Sequence, residues 1–272
     1  ASVWWPCKDH QSDEPDDGVS ISITAPDTLM NVSNGRLQNV TADGKGNKTW
    51  TWVVTQPINL YNVTMNVGKY VNFSDTLNGE NGKLDLNYYV LDYNLEKAKK
   101  HFEQVKPMLH AFEHWFGPYP FYEDGFKLVE SNHLGMEHQS AVAYGNEYMN
   151  GYKGNDLSGS GWGLKWDFII IHESGHEWYG NNISSKDIAD MWVHEGFTNY
   201  SETLFVDYHL GIGKNGKQLL EEAGFTVVTD KVNQEDLINA INTENYEIVL
   251  VRSATTVRKE VIDACPGLKL IG

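Results

Sequence analysis

A chain of 272 residues is long enough to bury a sizeable core and to hold more than one domain. Its formal charge of −16 sets aside nucleic acid and anionic membrane surfaces as partners, because polyanions are repelled. The longest apolar runs are four or five residues, far short of the ~20 that a membrane helix needs, and no stretch reads as a signal peptide.

Residues 1–92 read as β structure. Polar and apolar residues alternate in Val19–Ile23, Trp50–Val54 and Tyr61–Val71, and turn residues separate these runs at Asn34-Gly35, Asp43–Asn47 and Asn78–Gly82. The expectation is an antiparallel sheet or sandwich fragment with one wet face and no catalytic cluster. Asp9, Asp13, Glu14, Asp16 and Asp17 form an acidic run, read as a solvated loop in preference to a calcium site. Cys7 and Cys265 lie near opposite ends and read as free, buried thiols. Asn-x-Ser/Thr triplets begin at Asn31, Asn39, Asn47, Asn62, Asn72, Asn182 and Asn199; an Asn-rich and Thr-rich composition produces such triplets without glycosylation.

A domain boundary is expected near Asp92, giving domains 1–92 and 93–272. Asn94 can cap a helix running to Phe116, whose apolar stripe is a packing feature; Pro107 should kink or divide it, and Gly117 ends it. Phe126–Glu130 and Leu134–Tyr144 read as strands, the second placing Gly135 and Glu137 at a sheet edge, where a glycine often marks a close approach. The Gly-rich residues 151–164 lack a phosphate-loop pattern and read as a loop beside a cleft.

Chemistry concentrates in Trp166–Gly180. His172 and His176 stand four apart, so on a helix both imidazoles reach one ion from one face, with Glu173 beside them as candidate general base. Phe168, Ile169, Ile170 and Ile171 read as a helix entering the core, and Gly180 as its stop. A catalytic zinc takes three protein ligands and keeps one position open. The next helical stretch, Asp190–Tyr208, offers Glu195, eighteen intervening residues after His176. Glu202 lies seven residues on, on nearly the same face, where a carboxylate can accept the outer N–H of a ligating histidine.

The segment HESGHEWYGN followed by WVHEGFTNYSE resembles the zinc site of the M1 aminopeptidases (gluzincins). Leu134–His138, LGMEH, resembles their G-x-M-E-N exopeptidase motif, with Leu134 in place of the first Gly and His138 in place of Asn. The opening WWPCKDHQSDEPD resembles the end of their N-terminal domain. The likeness fades after about Glu235. It implies an α+β chain: part of an N-terminal antiparallel β domain, then a thermolysin-like zinc metallopeptidase domain truncated at its C-terminus. It further implies one Zn²⁺ held by His172, His176 and Glu195. Gly135, Met136 and Glu137 would then bind peptide substrates with a free N-terminus, Glu137 taking the α-amine. The family also uses a downstream Tyr to stabilise the oxyanion; the only Tyr after Tyr208 is Tyr246, outside the expected Lys-Gly context. The residues alone leave three readings open: a zinc aminopeptidase, an endopeptidase in which Glu137 is incidental, and a non-catalytic or weakly active zinc- or peptide-binding fragment.

Overall fold

The computed structural model describes residues 3–210, 221, 224–228, 232–249 and 257–271. They fall into two compact units, Ala1–Lys214 and Asn215–Gly272.

The first unit begins with strands β1 (Val19–Pro26), β2 (Met30–Val32), β3 (Arg36–Ala42) and β4 (Asn47–Val54). β1, β4 and β3 form an antiparallel sheet in that order, and β2 pairs with β5 (Asn66–Gly68). The Tyr61–Val71 run is not one strand. Asn59 accepts the N–H of Tyr61 and starts a 3-10 turn over Leu60–Asn62, so side-chain capping overrides the alternation. β6 (Tyr70–Gly79) and β7 (Gly82–Leu91) then form a hairpin around Glu80 and Asn81.

β7 ends at Leu91, and Asp92–Asn94 form a 3-10 turn. After β7 come α1 (Leu95–His101) and α2 (Val105–Phe116), and then β8 (Phe126–Glu130), which lies parallel to β7. This β–helix–β crossover makes one five-stranded sheet, ordered β6-β7-β8-β10-β9, with β9 at Gly135–Met136 and β10 at Val142–Tyr144. The sheet is covered on both faces. Leu84, Leu86, Tyr88 and Val90 of β7, with Phe126 and Leu128 of β8, pack against the helices. Tyr89 and Val129, one residue out of phase, face Trp50, Trp52, Val54 and Ile58 of the N-terminal strands.

The helix expected over 94–116 is divided before Pro107, by a 3-10 turn at Phe102–Gln104. Pro107 has no N–H to give the Glu103 carbonyl, so it fits only in the first turn of a new helix. Asn94 does not cap α1; its amide donates to Glu130 Oε1 at 2.6 Å. Gly117, at φ 87°, closes α2 through its N–H to the Glu113 carbonyl. The strand expected over Leu134–Tyr144 is two short strands around a bend, with Ser140 at φ 53° between them.

Polar groups fasten the N-terminal strands to this bend. Lys127, 3% exposed, donates to the Gly35 carbonyl beneath Trp52, and burial pushes its amine down to about 7. Asn34 donates to the Gln139 carbonyl at 2.7 Å, and Gly35 N–H to Ser140 Oγ at 2.9 Å. The two sequons at Asn31 and Asn62 are fully buried, and Asn199 is exposed. Both cysteines are free, Cys265 buried and Cys7 half-buried. Among the described residues no helix is long and apolar enough to cross a membrane.

The remaining helices of the first unit are α3 (Phe168–Gly175) and α4 (Trp192–Leu210). In the second unit, helices Leu237–Glu244 and Lys259–Ala264 and the strands Ile248–Val249 and Leu270–Ile271 surround Leu237, Ile241, Val261 and Cys265. Tyr246 packs against this small core. The stretch NGKQLLEEAG at Asn215–Gly224 reads from sequence as a short helix, and it lies almost wholly outside the described residues.

Candidate metal centre

Three consecutive isoleucines are poor helix formers, each a few tenths of a kcal/mol worse than Ala. Burial outweighs this in α3: Ile169, Ile170 and Ile171 are at most 2% exposed, each side chain contributing roughly 1.5–3 kcal/mol. Asp167 caps the helix, accepting the N–H groups of Ile169 at 2.9 Å and Ile170 at 3.2 Å. The helix ends at Gly175, earlier than the Gly180 stop, but His176 keeps right-handed helical angles and the four-residue spacing holds.

The structure brings His172, His176 and Glu195 together. The two Nε2 atoms are 3.3 Å apart, and Glu195 Oε2 lies 3.4 Å from one and 3.6 Å from the other. Each ring's Nδ1 faces an acceptor: Glu202 Oε1 at 2.7 Å for His172, the Tyr179 carbonyl at 3.0 Å for His176. Both Nδ1 atoms therefore carry the proton, and both Nε2 lone pairs point at the Glu195 oxygen. Three acceptors this close call for a cation. Ligands about 2.0–2.2 Å from a tetrahedral ion sit about 3.3–3.6 Å from one another, so the spacing and the donor set fit zinc. Without a cation, burial opposes a second proton on His176, but the Glu195 carboxylate, the charge of Glu137 and the Tyr179 carbonyl raise its pKa to about 9, and a bound cation would take the place of that Nε2 proton.

Glu173 lies beside this triad, 8% exposed. Burial pushes its carboxyl up to about 7, with the charges of His172 and His176 opposing. Glu137 is 5% exposed, so it is no solvated edge-strand charge, and its carboxylate joins Glu173 and His176 in a second cluster of potential ligands. Gly135 and Met136 form β9, the outermost strand of the sheet. Gly135 is there for space. A Cβ on it would come within 2.8 Å of the Glu173 Cγ and Cδ. Gly135→Ala is expected to displace the Glu173 carboxylate and lower kcat by roughly 10²-fold, with zinc content unchanged by atomic absorption. At the last position of the motif, His138 is half-buried, and burial pushes it down to about 4, leaving it neutral at pH 7.

Sequence reasoning missed four side chains. Glu177, fully buried, accepts the Ser140 N–H at 2.8 Å, and Asn181 donates to the Glu137 carbonyl at 2.8 Å, so the end of the metal-bearing segment holds the bend that carries Glu137. Both stand inside the quoted motif and could have been found there. Tyr61 and Asn62 could not: they come from the N-terminal β region, where no catalytic cluster was expected. The Tyr61 hydroxyl donates to Glu137 Oε1 at 3.2 Å, and Asn62 donates to Asn181 Oδ1 at 2.7 Å.

The family model described as Peptidase family M1 domain matches residues 100–259, more than half of the chain and past the Glu235 limit of the likeness seen by eye. The chain belongs to peptidase family M1. This M1 chain is 21% identical over 197 residues to Probable aminopeptidase 2 of Sulfurisphaera tokodaii, covering 72% of the chain and 24% of that protein. It is 32% identical over 109 residues to Aminopeptidase N of Homo sapiens, covering 38% of the chain and 10% of that protein. A crystal structure of a mutant M1 zinc metallopeptidase from Deinococcus radiodurans, bound to a Tyr-Ser-Ala substrate, superposes with a TM-score of 0.57 at 19% identity, over 98% of this chain and 52% of that one. The M1 chain therefore spans about half of that structure and a quarter or less of those two curated relatives. Its mixed α and β architecture with antiparallel sheets is that of the M1 metallopeptidase structures.

Proposed function

We propose that this M1 chain is a zinc-dependent aminopeptidase that hydrolyses the N-terminal peptide bond of peptides. One observation carries the reading: two Nε2 atoms and a carboxylate oxygen converge with Glu173 on one side and the buried Glu137 beside it. His172, His176 and Glu195 would hold the ion, with Glu202 and the Tyr179 carbonyl fixing the two rings. Zinc bound there supplies Lewis acidity, polarising the scissile carbonyl and lowering the pKa of the attacking water toward ~7. Glu173 takes the proton of that water and delivers it to the leaving amine. β9 offers its free edge to an extended peptide, whose backbone adds as a further strand. Glu137 pairs with the α-ammonium at the end of that strand, which limits cutting to the first bond.

The relative from Deinococcus radiodurans, solved with a tripeptide substrate, supports peptide as the substrate class. One observation favours a second reading, zinc and peptide binding with weak turnover. The only Tyr downstream of Tyr208, Tyr246, lacks the Lys-Gly context of the family's oxyanion donor. Loss of such a donor costs roughly 10²–10³ in kcat.

Hydrolysis of alanyl- and leucyl-anilides is the test. Chelation is expected to abolish it and added zinc to restore it, while N-acetylation of a peptide substrate should stop cleavage. Equal cleavage of acetylated and free peptides would make the chain an endopeptidase. Stoichiometric zinc without hydrolysis would leave the binding reading.

A further inference from the structure

We infer that Tyr61 is a positioning residue for the amine-binding carboxylate, so that the N-terminal β region contributes to selection of a free N-terminus. The inference rests on the aminopeptidase reading of Glu137.

Glu137 follows directly after the two-residue strand β9 and enters a bend, so its backbone alone leaves the side chain several rotamers. Two contacts fix it. Asn181 holds the Glu137 carbonyl, and the Tyr61 hydroxyl holds Oε1. Burial first, then the charge of Glu137, keeps that phenol protonated far above neutral pH, so its proton goes to Glu137. With Oε1 engaged by a neutral donor, the carboxylate retains its charge and its second oxygen for an ammonium. Tyr61 is carried on the turn that Asn59 caps, and Asn62 ties that turn to Asn181, so the clamp reaches Glu137 from both of its backbone neighbours in space.

Tyr61 does not touch the three candidate ligands through any hydrogen bond, so its removal should act on the amine alone. The experiment uses the zinc-loaded full chain and two probes, L-leucine hydroxamate and isocaproyl hydroxamate, the same molecule without its α-amine. Binding of each is measured by calorimetry for the unmodified chain, Tyr61→Phe, Glu137→Gln and the double variant. The unmodified chain should favour the amine-bearing probe. Tyr61→Phe should erase about tenfold of that preference, leave the deaminated probe's affinity unchanged, and add nothing on top of Glu137→Gln. A preference that survives Tyr61→Phe, or equal weakening of both probes, would overturn the positioning role. If the unmodified chain binds both probes equally, the amine-anchoring role of Glu137 is what has failed, and the role of Tyr61 falls with it.

Discussion

Glu173→Gln is expected to lower kcat/KM for leucyl-anilide by about 10³-fold, within the 10²–10⁴ range for a positioned general base, while zinc content stays at one ion per chain. The amide keeps the size and hydrogen-bonding reach of the carboxylate but cannot take a proton from water. The metal ligands are untouched, because His172 is oriented by Glu202 and His176 by the Tyr179 carbonyl. The pH profile gives a second, independent readout. Burial sets the Glu173 carboxyl at about 7, and the active form is the deprotonated one, so activity should rise with pH through an acid limb. A cation on His172 and His176 adds positive charge and moves that limb to 7 or below. In Glu173→Gln the residual rate should lack the limb. A variant that retained both rate and limb would remove Glu173 from the mechanism.

The clustering of His172, His176 and Glu195 was legible because its geometry is local. A four-residue spacing on one helix sets the two imidazoles by helical geometry alone, and Glu195 and Glu202 follow from the same periodicity on a second helix. Helix α3 was legible for the same reason: an apolar run after Asp167 needs only burial and a cap. What escaped was non-local. Tyr61 and Glu137 are 76 residues apart and meet only because a β–helix–β crossover threads β7 and β8 into one sheet. The same crossover joins β7, which ends just before Asp92, to β8 beyond it. The alternation in β7 reports two differently covered faces, Leu84, Leu86, Tyr88 and Val90 toward helices and Tyr89 toward strands, and alternation alone does not say what covers either. Short-range capping explains the remaining differences. Asn59 bends a run that alternates like a strand, and Pro107 forces a new helix start at Val105, directly after the 3-10 turn Phe102–Gln104.

Asp167→Ala is expected to give the largest loss of stability of any single substitution outside the hydrophobic cores. The carboxylate is fully buried and holds three elements and a loop at once. It caps α3 through Ile169 and Ile170, accepts the Tyr144 hydroxyl of β10 at 2.7 Å and the Asn146 amide at 2.9 Å, and pairs with His101 Nε2 of α1 at 2.6 Å. Loss of the cap alone costs about 1 kcal/mol. Tyr144 and His101 would lose their acceptor, whereas the Asn146 amide keeps the Met149 and Gly151 carbonyls, and an unsatisfied buried group costs about 1–3 kcal/mol. Partial relaxation brings the total to roughly 3–5 kcal/mol, or about 10 °C in the melting transition of the first unit. Asp167→Asn separates the contributions. Its carbonyl oxygen can still cap α3 and accept one further donor, but its NH₂ group meets the same crowd of donors, so it should recover less than half of the loss. Because α3 begins at this residue and carries His172 one turn on, the substitution should also weaken zinc binding in proportion to the fraying of the helix start. Amide hydrogen exchange at Ile169–Ile171 checks this directly: protection there should fall in Asp167→Ala before the global transition, whereas a purely global effect would leave the local protection pattern unchanged.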